Sequence, residues 1–137
     1  MSTDVLNTLV TGAIWRAEQL EEQGIGSAPL AWAEVSSLEE ELAKAFPASQ
    51  PEGRIARRGA VRAALKARDF ARAQALAERF LAEKDATRPL RQSLRHLLEE
   101  DARTLAERFP HAAKAVEDAR GLARRLQEGG AFLLAAA

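Results

Sequence analysis

The sequence predicts an all-α fold of five or six helices stacked as antiparallel hairpins, a helical bundle or short solenoid. Three observations predict it. Apolar residues recur at helical spacing through most of the chain, the mark of amphipathic helices that each bury one stripe. Alanine, the best helix former, makes up about a fifth of the residues. Aromatics are only 5%, with no tyrosine, and long β-branched runs are missing, which argues against a sheet. At 137 residues the chain suits a single domain, 1–137, long enough to bury a core.

The first helix is expected from Thr3 to Gln23. Leu6, Leu9, Val10, Ala13, Ala17 and Leu20 share one face, and Gly24 stops the helix because it tolerates a left-handed conformation. Trp15 projects almost opposite that face, beside Thr8, Thr11 and Glu22. Two readings stay open for the second helix. Pro29 suits a first turn and gives one helix over 29–46. Ser36-x-x-Glu39 and Ser37-x-x-Glu40 each spell a capping box, which would start a helix at 37 after a short turn. Val35, Leu38, Leu42, Ala45 and Phe46 form a stripe either way. These acidic helices occupy 1–46. Residues 47–53, PASQPEG, read as a linker, a short loop and not a domain boundary, since two helices alone make too small a core.

A basic hairpin follows over 54–84, folded across Lys66-Ala67-Arg68-Asp69. Ala60, Val61, Ala64 and Leu65 form the buried face of its first helix. In its second, Phe70, Ala73, Leu76, Ala77, Phe80 and Leu81 fall within one stripe, and Arg72, Ala75, Glu78, Arg79 and Glu83 on the other side. Arg79 and Glu83, four apart, are placed to pair. The C-terminal helices fill 88–128. Pro89 opens the first, with Leu90, Leu94, Leu97, Leu98, Leu105 and Phe109 inward, and Pro110 ends it. Ala112, Val116, Ala119, Leu122, Ala123 and Leu126 face inward from the second, which Gly129-Gly130 closes. In the apolar tail, 131–137, Phe132, Leu133 and Leu134 are expected to dock on the core or on a second subunit, because leaving them in water is costly.

At Ala63, Asp69, Phe70 and Ala73 the hairpin resembles one tetratricopeptide repeat. In that family a small residue lies late in the first helix, an acidic-aromatic step opens the second, and an alanine follows three residues later. The chain departs from the family at Val61, where glycine or alanine is usual, at Phe80, where a small residue is usual, and at Asp85, where proline is usual. The likeness covers about one repeat, Arg57 to Lys84, and implies a stacked-hairpin shape and peptide or partner binding.

Charge divides the chain. Residues 1–53 hold nine acidic and two basic groups, residues 54–95 twelve basic and four acidic, and the whole sums to zero. Such asymmetry marks either a basic binding surface or an internal docking of acidic on basic helices. The absence of cysteine excludes a disulfide framework and thiol chemistry. No apolar run approaches the ~18 or more residues of a membrane span, and MSTDVLNTL lacks the basic-then-apolar order of a secretory signal. A cytoplasmic location is the expectation.

Four functions compete. The leading one is a non-enzymatic protein–protein interaction module that needs no cofactor and no metal, with a homo-oligomer as one form. Its expected partner-binding residues are Trp15, an aromatic anchor, and Arg58, Arg62 and Lys66, a basic stripe along one helix face that suits an acidic protein partner. The alternative is nucleic-acid binding through the basic face of residues 54–72, where Arg54, Arg57, Arg68 and Arg72 join the stripe. Against it, no aromatic lies within the stripe to stack a base. Third, Arg91 and His96 match the Arg-x4-His spacing of one family of all-helical ribonucleases, yet they lie about 140° apart around the helix. Membrane-surface binding comes last, since the basic hairpin lacks the bulky apolar face it requires. Glu39-Glu40-Glu41 reads as a solvated face, and two histidines give no zinc set.

Overall fold

The computed structural model describes residues 2–108, 110–111 and 113–128, and these form six helices with no strand among them. They are α1 (Thr3–Glu22), α2 (Ala28–Ala43), α3 (Pro51–Lys66), α4 (Phe70–Leu81), α5 (Arg88–Arg108) and α6 (Ala113–Glu128). None is long and apolar enough to cross a membrane. Helix α3 is the hub, packed against α2, α4 and α5, while α1 lies on α2 and α6 on α5 and α4.

Each boundary has a local cause. Ser2 caps α1 by accepting from the Val5 N–H at 3.2 Å, and Gly24, at φ +66°, lets the Ile25 N–H reach back to the Leu20 carbonyl at 3.0 Å. Helix α2 is continuous from Ala28, so the longer reading holds and neither capping box operates. The reason is tertiary: the Ser36 hydroxyl donates to the Ala60 carbonyl of α3 at 2.8 Å instead of capping its own helix. The 47–53 linker is shorter than its composition suggests, because Pro51 opens α3 and Gly53 already lies inside it. A Cβ at Gly53 would collide with the Pro47 carbonyl, so glycine permits that close return of the loop.

The turn at residues 66–69 forms as expected. Arg68 takes a left-handed conformation, φ 60°, and Asp69 caps α4 through the Arg72 N–H at 3.0 Å. Arg79 and Glu83 do not pair with each other. Arg79 reaches Glu40 of α2, and Glu83 takes Arg57 of α3, because helices from both sides offer partners better placed than the i+4 neighbour.

Two layers of core result. Val10, Ala13 and Ala17 of α1, Trp32, Val35 and Leu42 of α2, and Ala56 and Ala63 of α3 fill the first. The second joins Val61 and Leu65 of α3 to the α4 stripe, to Leu90, Leu94, Leu97 and Leu98 of α5, and to Leu122 and Ala123 of α6. Alanines at 56, 60, 63 and 64 are all buried, which lets α3 sit close to its neighbours on several sides. Leu9 and Ala45 are exposed, contrary to their expected stripes. Phe109, Ala112, Gly129-Gly130 and the 131–137 tail lie outside the described residues, as do the side chains of Val116, Ala119 and Leu126.

Candidate partner-binding cleft

Helices α2 and α3 run antiparallel, and their register brings three contacts together. Trp32 lies opposite Arg62 and Lys66, Ser36 opposite Ala60, and Glu39 opposite Gly59. Gly59, Arg62 and Lys66 stand three and four residues apart, one line along α3. The Arg62 guanidinium lies 5.3 Å from the Trp32 ring centre and the Lys66 ammonium 5.0 Å, both within cation–π range. Trp32 is fully buried beneath them.

Lys66 also reaches Glu21 near the end of α1, at 3.3 Å. Arg68, turned outward by its positive φ, reaches Asp101 of α5 at 3.2 Å. Between these three helices lies a cleft of about 290 Å³. Arg62, Lys66, Arg68, Arg103 and Arg108 contribute cations to its walls, and Glu21, Glu100 and Asp101 carboxylates. Burial pushes the Asp101 carboxyl above its usual range, with Arg68 opposing the shift. One Asp101 oxygen accepts from Arg68, while its other oxygen is buried with no partner among the described residues.

Arg62 and Lys66 line this cleft; Arg58 and Trp15 do not. Arg58 is half-buried, and Trp15 projects into solvent from the outer face of α1, 65% exposed. The wider basic face is largely engaged inside the molecule. Arg57 is buried: its guanidinium makes paired bonds to Glu83 at 2.9 and 2.8 Å and donates to the Phe46 and Gly53 carbonyls. Arg72 bonds Ser36 and Glu40.

The acidic run of α2 is correspondingly not a solvated face. Glu41 alone is well exposed, pairing with Lys44. Burial would raise the Glu40 carboxyl, but hydrogen bonds and charge from Arg72 and Arg79 outweigh it and hold the group low. Glu39 is buried, accepts no hydrogen bond among the described residues, and is pushed up to about 7 by that burial, with the Arg62 charge opposing.

Sequence reasoning passed over Trp32, the burial of Glu39, and Arg103 and Arg108. The first two had a signal. Trp32, Val35, Glu39 and Leu42 step by three, four and three, so Glu39 falls within an apolar stripe. Arg103 and Arg108 had none, because only the fold brings α5 beside the end of α3. His96 is exposed, 3.6 Å from Glu100, and the Arg91 Nε is buried without an acceptor among the described residues. A larger groove of about 400 Å³ runs between α5 and α6 over Ala102, Ala106 and Ala123. Glu99, Arg103, Glu107, Arg120 and Arg124 also line it. No protein-family model, curated protein or solved structure matches the chain.

Proposed function

We propose that this protein is a non-enzymatic interaction module of the cytoplasm that holds an acidic segment of a protein partner in the cleft between α1, α3 and α5. The supporting observation is the charge of that cleft after internal pairing. Lys66 and Arg68 each have a carboxylate partner, whereas Arg103 and Arg108 have no ion-pair partner among the described residues. An acidic segment supplies what those cations lack. Among the described residues no aromatic side chain lines the cleft to stack a base, and single-stranded nucleic acid gains much of its affinity that way. A protein partner is therefore favoured over RNA. Trp15, on a different face, offers such a partner a second contact of the kind that anchors interfaces.

Fluorescence anisotropy of a labelled deca-aspartate peptide, run beside a mixed-sequence RNA and a DNA duplex at low and physiological salt, tests this. The peptide should bind, weaken with salt, and lose at least about tenfold in affinity when Arg103→Glu and Arg108→Glu are combined, with helical circular dichroism unchanged. Binding of RNA or DNA alone, with a linear log–log salt dependence, would replace the protein partner by nucleic acid.

A further inference from the structure

Arg62 belongs to two environments at once: it lines the cleft wall, and its charge acts on Glu39, buried on the α2 side. The Glu39 carboxyl lies flat against Gly59, so near that a Cβ there would stand 2.7–2.9 Å from its carbon and oxygens. Glu39 is buried and accepts no hydrogen bond among the described residues, which leaves Arg62 as the cation acting on it. Glu40, its chain neighbour, is already satisfied by Arg72 and Arg79 of α4. Ser36, one turn earlier, is committed to Ala60 and Arg72. Nothing else described on α2, α3 or α4 stands ready to balance a charge on Glu39.

We propose that Glu39 gates the cleft: ionised, it draws the field of Arg62 toward α2, and neutral, it leaves the full charge of Arg62 to an acidic ligand. This rests on the cleft reading above and adds its regulation. The carboxyl changes charge near neutral pH, so the gate operates within the physiological range. Acidic segments should bind more tightly as pH falls from 8 to 6. A charge removed one side chain away from a ligand, at an effective dielectric near that of a protein surface, changes affinity by about tenfold. Two other ionisable groups lie nearby: His96 stands 3.6 Å from Glu100, which lines the cleft, and Asp101 is itself raised by burial.

The experiment measures deca-aspartate affinity from pH 6 to 8 for the wild type, Glu39→Gln and His96→Gln, a peptide that stays ionised throughout. The Arg62 Nε–H resonance is followed in the same samples without peptide. The expected result is about tenfold tighter binding at pH 6 in the wild type and in His96→Gln, and a flat profile in Glu39→Gln. The Arg62 resonance should titrate near pH 7 in the wild type and stay still in Glu39→Gln. Affinity that rises in all three proteins, or in none, overturns the gate. If the peptide binds at no pH, the cleft reading fails. The Arg62 resonance then decides alone: following Glu39, it supports the coupling, and ignoring pH, it overturns it.

Discussion

Glu39→Gln should make the protein more stable in mild alkali, an unusual outcome for altering a buried residue. The native carboxyl is raised from 4.5 to about 7 by burial, so the folded chain prefers the neutral acid and the unfolded chain does not. Between those two values the native state holds the extra proton, and stability falls as pH rises. The full shift, from 4.5 to about 7, corresponds to about 3.5 kcal/mol lost between pH 4.5 and 8. Glutamine matches the shape of the neutral acid and does not titrate. Urea denaturation of both proteins at half-unit steps from pH 4.5 to 8.5 gives the difference in unfolding free energy directly. Asp101 and the exposed groups titrate in both proteins and cancel. The difference should grow toward high pH in favour of Glu39→Gln, with its midpoint near 6. Parallel profiles would mean that water reaches Glu39 and that the packing against Gly59 is looser than described.

Three further outcomes follow from the same geometry. Gly59→Ala places a methyl within 2.7–2.9 Å of the Glu39 carboxyl; because that carboxyl ends a flexible side chain, it should swing toward water, change the unfolding free energy by no more than about 1 kcal/mol and flatten the pH dependence of stability measured by urea denaturation. Arg57→Ala strands Glu83 and the Phe46 and Gly53 carbonyls and should lower the unfolding free energy by about 3–5 kcal/mol, read from the urea midpoint, with Arg57→Lys restoring only part because an ammonium cannot make the paired fork. Acrylamide should quench the emission of Trp32→Phe, which keeps the exposed Trp15, several times more steeply than that of Trp15→Phe, which keeps the buried Trp32; equal quenching would contradict the placement of both side chains.

The helices were legible because their signals are local. Gly24, Pro29, Asp69 and the α4 stripe act within a turn or two, and each sits where its chemistry predicts, whereas Pro51 reads as linker and opens α3. Legibility fails where a residue has a choice of partners. Ser36 reads as a cap and serves as a bridge between α2, α3 and α4, since Ala60 and Arg72 reach it across the fold. Arg79 and Glu83 read as a pair and are separated by Glu40 and Arg57. Arg62 and Lys66 were legible as a basic stripe, but the other wall of their cleft was not. Arg103 and Arg108 lie about forty residues further on, on a helix whose sequence shows only its leucine stripe.

The charge asymmetry of the chain explains why a cationic cleft survives at this one corner. Along most of the α2–α3–α4 contact, acid meets base: Glu40 takes Arg72 and Arg79, and Glu39 lies beside Arg62. Antiparallel packing then carries α2 toward its own beginning as α3 runs toward its end. Opposite Lys66 the residue from α2 is Trp32, with no carboxylate in its place. An aromatic face attracts a cation without cancelling its charge. The end of α3 is thus covered but not neutralised, with Glu21 the sole α1 carboxylate on the cleft. The Arg68 turn and α5 add three more arginines at that point, against Glu100 and Asp101. That one aromatic, Trp32, placed where the acidic run of α2 has not yet begun, leaves the charge at the end of the basic hairpin uncancelled by α2.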